Sequence, residues 1–201
     1  MQKKELDEAR KQLSEKKFHR DKASFETTFI NLLGLYTQGA STLKYQFREN
    51  HLEGNLAFDK LAEVIWIGFR DRWKDDPNIS AVHIYEEYFA KHLHRNLGHY
   101  FRTQYHVMKV IEQSSLSDDE KKFYSNILRS QLTSSQLLLL FYNGLSKYGD
   151  EMKPLLVKYK MFEQLPGIYF NEQIKKPYFE LYEISAFGDS QELPANWTLK
   201  S

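Results

Sequence analysis

Apolar residues recur at helical spacing through much of the chain. In the stretch "FETTFINLLGLY", residues 25–36, they return every three or four positions and predict one buried stripe, formed by Phe25, Phe29, Leu32, Leu33 and Tyr36. The stretch at residues 57–73 predicts a second stripe, formed by Phe58, Leu61, Ile65, Phe69 and Trp73. Pro77 predicts that this second helix ends shortly after Trp73, because proline lacks an amide donor and disfavours helix in the residue before it. Ser24, with two threonines close behind it, suggests the start of the first of these helices.

A long helix is predicted from about Ile84 to Ile111. A further helix is predicted to start at Ser117, because Glu120 follows three residues later in the pattern of a capping box. We expect that helix to continue through "LLLLFY" at residues 137–142.

Asn143 and Gly144 form a favourable helix end, and Pro154 suits the first turn of a short helix that follows. The polar stretch "RENHLEGNLA", residues 48–57, is interpreted as a connection.

These segments predict an all-α fold, a bundle of about five core helices. Residues 1–23 are polar nearly all round and predict a solvated helix or a weak coiled-coil stalk. Residues 24–165 form the predicted bundle domain, and residues 166–201 a C-terminal tail packed irregularly on it. No period of about 20–50 residues recurs, which argues against a solenoid.

Composition narrows the classes of function. Twenty-eight Lys and Arg balance 27 Asp and Glu, for a net charge of +1, so any RNA contact needs a local basic patch. The chain has no cysteine, which excludes disulfides, thiolate metal ligands and a cysteine nucleophile. No stretch approaches the roughly 18 consecutive apolar residues of a membrane span, and no secretory signal is visible. A soluble, cytoplasmic protein is expected.

The stretch "HRNLGHYFRTQYH", residues 94–106, concentrates three histidines and two arginines. Each residue of an α-helix turns about 100°, so one face within an arc of roughly 60° collects Arg95, His99, Arg102 and His106. We call these four residues the Arg/His row.

Tyr88 and His92 are predicted to extend the same ridge upstream. This geometry requires residues 88–111 to form one uninterrupted helix, without a break at Gly98.

Two interpretations of the Arg/His row stay open. Neighbouring cations on a helix cost stability unless an acid, an anion or a neutral imidazole relieves them. Arginine binds phosphodiesters through paired hydrogen bonds, and histidine transfers protons near neutral pH, so metal-independent RNA cleavage is one interpretation. In it, Arg95 and Arg102 hold phosphate. The other is a structural or interface seam whose cations pair with carboxylates of a neighbouring helix.

Other chemistry lacks a complete motif. The chain contains no HExxH, GxxxxGK[ST], GxGxxG or GxSxG sequence, and His92 and His94 are two apart, which points them in different directions on a helix. We therefore predict no metal site and no cofactor. Trp66 and Trp73 are interpreted as core residues rather than a stacking platform.

Four segments carry a family resemblance. They are "FETTFINLLGLY" near the start, "LGHYFRTQYHVMKVIE", "YSNILRSQLTSSQLLLLFYNGLS" and "KPLLVKYKMFEQL", with "SAFG" at residues 185–188 as an echo in the tail. In this order they resemble the phage abortive infection family, the AbiC-like group, over roughly residues 25–165. The third segment is the most specific because of its length.

The resemblance implies bacterial anti-phage defence by shutdown of the infected cell. Many members look as if two membrane spans precede their first soluble helix. If an anchor precedes Met1, residues 1–22 would be a juxtamembrane stalk and the domain would lie at the cytosolic face of the inner membrane.

Several abortive infection families also resemble HEPN-type helical RNases, whose motif leaves four to six residues between an arginine and the histidine that follows it. Here only three residues separate Arg95 from His99, and Arg102 from His106, so the chain departs from that pattern. HEPN sites usually form across a dimer, so the resemblance implies a homodimer.

Two functions follow as hypotheses. In the first, a helical sensor or interaction module binds a phage or host protein as its trigger. In the second, a HEPN-like RNase effector cleaves RNA, with the arginines of the row holding phosphate while His99 and His106 move protons.

Overall fold

The computed structural model describes residues 2–76, 79–166 and 182–189, and in these ranges the chain is mostly helical. Their helices are α1 (Gln2–Ser41), α2 (Asn55–Asp75), α3 (Ala81–Tyr88), a π-helix (Phe89–Leu93), α4 (His94–Gln113), α5 (Asp118–Arg129), α6 (Ser134–Leu145), α7 (Lys153–Lys158) and a 3-10 helix (Ile184–Phe187). Two strands, β1 (Lys44–Phe47) and β2 (Asn50–Glu53), form one hairpin.

The predicted all-α bundle is confirmed. Five helices of 12 residues or more, α1, α2, α4, α5 and α6, surround one hydrophobic core. Helix α6 is the most deeply buried of these helices, since each residue from 135 to 144 is buried. The stripe predicted for α2 is buried at Phe58, Leu61, Ile65 and Phe69.

Helix α1 runs without interruption past Ser24, so the helix start predicted there is wrong. The hydroxyls of Thr27 and Thr28 donate to the carbonyls of Ala23 and Ser24, both at 2.9 Å, inside the helix. Because these hydroxyls bond back to the preceding turn, they fit a helix interior as well as a helix start. Residues 3–20 are all exposed, and the first buried side chain of α1 is Phe25.

The β-hairpin replaces the connection predicted for residues 48–57. Strands β1 and β2 pair antiparallel with Tyr45 opposite Leu52, and Arg48 adopts a positive φ of 55° in the turn. Phe47 is covered by the ammonium group of Lys60, 4.2 Å from its ring centroid. Sequence reasoning missed the hairpin because its strands have four residues each and bury little.

Helices α5 and α6 are separate, so the predicted continuation of α5 through residues 137–142 is wrong. The capping box at Ser117 and Glu120 is present as predicted. A second capping box starts α6, where Thr133 accepts from the amide of Gln136 and the Gln136 side chain accepts from the amide of Thr133.

The helix predicted over residues 84–111 is interrupted by the π-helix Phe89–Leu93. A π-turn includes one residue more than an α-turn, so it shifts the upstream residues around the axis relative to α4. Tyr88 accordingly lies against α2, where a Cβ added at Gly68 would stand 3.1 Å from its ring. The helix does not break at Gly98, and the Arg/His row lies wholly within α4.

The chain after α6 turns back onto the bundle. Pro154 lies in the first turn of α7, as predicted. Tyr182 and Phe187 are buried, and the amide of Phe162 donates to the carbonyl of Ala186 at 3.0 Å. Residues 167–181 and 190–201 of the predicted tail lie outside the described residues.

Within the described ranges, no helix has the length and apolar character needed to cross a membrane.

A buried pair of tyrosines joins α1 to α4. Tyr36 and Tyr100 stack with ring centroids 5.0 Å apart, and their hydroxyls are hydrogen-bonded to each other. Burial is the largest of the effects on the pKa of the two phenols and raises both, so the pair stays neutral.

We expect Tyr100→Phe to lower the free energy of unfolding by about 1–3 kcal/mol, because the Tyr36 hydroxyl then loses its partner in the core. The double variant Tyr36→Phe/Tyr100→Phe is expected to cost less than the sum of the single variants, since neither hydroxyl remains. Urea unfolding of the four proteins measures this coupling. If the losses of unfolding free energy in the two single variants simply add up in the double variant, the result contradicts a hydrogen bond between the two hydroxyls.

Lys22 and Glu120 join α1 to α5 through an ion pair of 2.5 Å. The hydrogen bond from Lys22, followed by those from Ser117, lowers the pKa of Glu120 from 4.5 to about 2. A carboxyl whose pKa is lower in the folded protein stabilises it above the unfolded pKa, and that contribution is lost as the pH falls toward the folded pKa.

We therefore expect Glu120→Gln to destabilise the protein near neutral pH and to cost less as the pH falls from 4.5 toward 2. Urea midpoints of parent and variant at about pH 7 and about pH 2.5 measure the change. Glu15→Gln, on the exposed part of α1, is the control and should leave the midpoint unchanged at both. An equal effect of Glu120→Gln at both pH values would refute the assignment.

Candidate functional site

Helix α4 has one buried and one exposed side. The buried side faces the core through Leu97, Tyr100, Phe101, Gln104, Val107, Met108 and Ile111. The Arg/His row lies on the other side, where all four side chains are exposed, as the spacing predicts. The packing of α4 therefore turns these side chains toward solvent.

The row does not converge on one site, because its residues border three different depressions. Arg95 lines a groove of about 500 Å³ between α4 and the hairpin, together with Tyr45. His99 lines a groove of about 360 Å³ beside α1, together with Leu35. Arg102 lines a third depression, and His106 borders both this one and the groove of His99.

We call the third depression the Arg102 pocket, a volume of about 430 Å³ between α4 and residues 146–152, which follow α6. It includes His94, which sequence reasoning did not place in the site. A Cβ added at Gly98 would lie 3.4 Å from Nη1 of Arg102 and 3.5 Å from Nε2 of His94. The guanidinium and the imidazole are therefore neighbours across the glycine. The signal for His94 was present in the spacing, since His94, Gly98 and Arg102 are successive positions four apart.

The described residues offer the Arg/His row no partner. None of its four side chains forms a hydrogen bond or an ion pair within those residues. The row is therefore not neutralised within the part of the chain that the structure describes.

Nearby acids that could have formed a seam with the row are held elsewhere. Arg72 binds Glu87, and this hydrogen bond is the largest of the effects that lower the pKa of that carboxyl. Lys158 binds Glu112 at 2.7 Å and likewise lowers its pKa. Glu86 accepts from the backbone amide of residue 147 at 2.8 Å. Since these carboxylates are already engaged, the structural-seam interpretation finds no support among them.

The far wall of the Arg102 pocket depends on a glycine. A Cβ added at Gly149 would lie 2.3 Å from the carbonyl oxygen of Asn143, so any other residue would push the segment off the end of α6. The hydroxyl of Tyr105 on α4 donates to Glu151 on this wall at 3.0 Å. The hydrogen bond joins the two walls of the pocket, and the glycine allows the far wall to approach the end of α6.

The floor of the pocket contains a buried amide with one atom unsatisfied. Asn143 is 1% exposed, and its Nδ2 donates to the hydroxyl of Tyr85 at 3.3 Å. Its Oδ1 has no hydrogen-bond partner among the described residues. A buried acceptor without a donor costs free energy, and this atom is covered by the backbone of Gly149, since a Cβ added there would lie 2.7 Å from it.

The described residues contain no group of three or more His, Asp or Glu side chains arranged to hold a metal ion.

The Arg102 pocket is built from α4, the end of α6 and the segment before α7, the region in which the sequence resembles known proteins. Residues 92–169 match the family model described as "Putative phage abortive infection protein". The match covers about two fifths of the chain and includes the whole Arg/His row and the Arg102 pocket apart from Phe89. The predicted resemblance to abortive infection proteins is thus confirmed over this stretch. Neither the curated proteins nor the solved structures include a match to the chain.

We expect single alanine substitutions at Arg95, His99, Arg102 or His106 to change the free energy of unfolding by about 0.5 kcal/mol or less, because these side chains are exposed and unpaired. Thermal or urea unfolding of the four variants beside the parent measures it. A loss of about 2 kcal/mol or more in any of them would instead identify that side chain as structural.

Proposed function

We propose that the chain is an anti-phage abortive infection protein that acts as a helical sensor or interaction module through the exposed side of α4. The observation that carries the proposal is the exposed, unpaired Arg/His row, which lies inside the stretch that matches the abortive infection family. A phage or host protein is the proposed trigger.

The geometry favours a binding surface over a catalytic centre. The four side chains border three depressions along about 16 Å of helix, at 1.5 Å per residue between positions 95 and 106. A partner lying along α4 would contact all of them, whereas a reacting phosphate fits inside a single depression. Exposed cations also suit recognition of an acidic surface, because their positive potential attracts an acidic partner and speeds its approach.

Metal-independent RNA cleavage is the second candidate, and one observation favours it. Arg102 and His106 line the same pocket, and His94 adds a second imidazole beside the guanidinium. A phosphate held by Arg102 would then have one histidine available to accept a proton and another to donate one. In this form, the HEPN-like hypothesis concerns His94, Arg102 and His106, and it leaves Arg95 and His99 outside the reaction.

The test is phage protection in cells that express the parent protein or its variants. Under the proposed function, we expect Arg95→Ala, His99→Ala, Arg102→Ala and His106→Ala each to weaken protection, measured as plaque number. Lys122→Ala removes one exposed cation from α5, outside the row, and is the matched control that should protect like the parent.

RNA degradation by the purified proteins separates the two candidates. A parent protein that protects cells and leaves RNA intact supports the interaction module. Degradation by the parent that disappears in Arg102→Ala and His106→Ala, while Arg95→Ala remains active, would replace the module by an RNase. A parent that gives no protection against any phage tested would overturn the defence function itself.

A further inference from the structure

The Arg102 pocket combines features that a protein–protein contact does not require. One end is cationic, one side is aromatic, and the rim carries two carboxylates, those of Asp150 and Glu151. Its volume of about 430 Å³ lies in the range of small-ligand pockets, roughly 300–1,000 Å³. These features are concave and close together, which suits a small molecule better than a flat protein surface.

The cationic end suits a phosphate group. Arg102 has no partner among the described residues, and His94 lies next to it across Gly98. His106, one helical turn beyond Arg102, lines the same pocket. A guanidinium forms paired hydrogen bonds with phosphate oxygens, and flanking imidazoles add further N–H donors.

The aromatic side suits a planar ring. Phe89 and Tyr148 lie with ring centroids 4.7 Å apart, and Tyr148 remains 39% exposed. His94 contacts the ring of Phe89 edge-on, with centroids 5.7 Å apart, so the aromatic side adjoins the cationic end. A ligand that carries both a phosphate and a planar base would contact both the cationic end and the aromatic side of the pocket.

The rim of the pocket, where Asp150 and Glu151 lie, selects for N–H donors. On the rim, Glu151 accepts from Tyr105, and Asp150 accepts from the backbone amide of Glu151 at 2.8 Å. These carboxylates disfavour a polyanion, and they favour a ligand with one phosphate and amino or imino groups on its ring.

We propose that the Arg102 pocket binds a nucleoside monophosphate, either free or as the terminal nucleotide of an RNA strand. The phosphate lies at Arg102 between the two imidazoles, the base stacks on the exposed ring of Tyr148, and amino or imino groups of the base face Asp150 and Glu151. The proposal rests on the proposed function in one respect: the nucleotide would be a signal that the module recognises. The binding itself can be measured without that function.

The experiment is calorimetric titration of the purified protein with the four ribonucleoside monophosphates, the matching nucleosides and inorganic phosphate. We expect saturable binding of at least one monophosphate, and binding at least about tenfold weaker for its nucleoside and for phosphate alone. Equal binding of inorganic phosphate would overturn the proposal, because the base would then contribute nothing. A parent without saturable binding of any nucleotide, free or at an RNA end, would also overturn it.

Two pairs of variants locate the site. Arg102→Ala is expected to weaken binding by about 10- to 100-fold, the effect of losing a charged hydrogen bond, whereas Lys122→Ala removes one exposed cation from α5, outside the pocket, and should bind like the parent. Gly98→Leu should abolish binding by filling the space between His94 and Arg102. Gly98→Ala, whose Cβ makes ordinary contacts, should retain it. Equal losses in Arg102→Ala and Lys122→Ala would overturn the assigned site.

A short RNA with a 5′-phosphate, compared with the same RNA without it, distinguishes the two sources. Tighter binding of the phosphorylated strand than of the free nucleotide identifies an RNA end, and the reverse order identifies a free nucleotide. Both orders support the pocket. Preference for the strand without the phosphate would contradict it.

The outcome is separable from the proposed function. If the parent binds nucleotide but gives no protection against phage, the defence function fails and the pocket assignment stands. If the parent protects cells but binds no nucleotide, the pocket assignment fails and the interaction module stands.

Discussion

The buried side of α4 packs against α1 and the core, and this contact determines where the chemistry of the protein is displayed. Leu97, Tyr100 and Val107 are almost fully buried, so the helix has little freedom to rotate. With the buried side fixed, the cations at three- and four-residue spacing lie on the exposed side of the helix. The exposed side of α4 is thus a consequence of the core, and within the described ranges the four side chains of the Arg/His row form no ion pair.

The same core accepts polar groups at a cost. Gln104 on α4 is fully buried, and neither atom of its amide has a hydrogen-bond partner among the described residues. Asn143 on α6 is satisfied on one side only. Buried amides of this kind cost free energy wherever they lie. Of these two, Asn143 lines the Arg102 pocket, and its Oδ1 is covered by the backbone of Gly149.

Periodicity was sufficient to predict the helices whose stripes are buried, such as the one from Phe58 to Phe69 in α2. It failed where local hydrogen bonds decide the structure. Thr133 and Gln136 start a new helix inside a sequence that otherwise continues the apolar pattern, and the π-helix Phe89–Leu93 shifts the register without any proline or glycine to announce it. A hydrophobic pattern cannot show either event, because neither changes the number of apolar residues.

For the site, the sequence predicted that the four residues of the Arg/His row share one side of α4. It did not predict that they border three separate depressions. The angular argument treats the helix as isolated, whereas the hairpin, α1 and the segment after α6 each cover a different flank of it. Gly149 could be recognised as part of a wall only after the approach of its backbone to Asn143 was known. Tertiary neighbours, rather than the row itself, therefore decide which of its members act together.

Helix α1 has a further consequence for the motions of the molecule. Its residues 3–20 are exposed along the whole circumference, over about 27 Å at 1.5 Å per residue, while Phe25, Phe29 and Tyr36 are anchored in the core. An isolated helix of this length is only marginally stable in water. Residues 3–20 therefore stay helical because they extend a helix that is already formed around the anchored residues. Amide protons should consequently exchange in a gradient along one continuous helix, fastest near residue 3 and slowest beyond Phe25. Fraying of that projection would proceed without loosening the bundle that supports it.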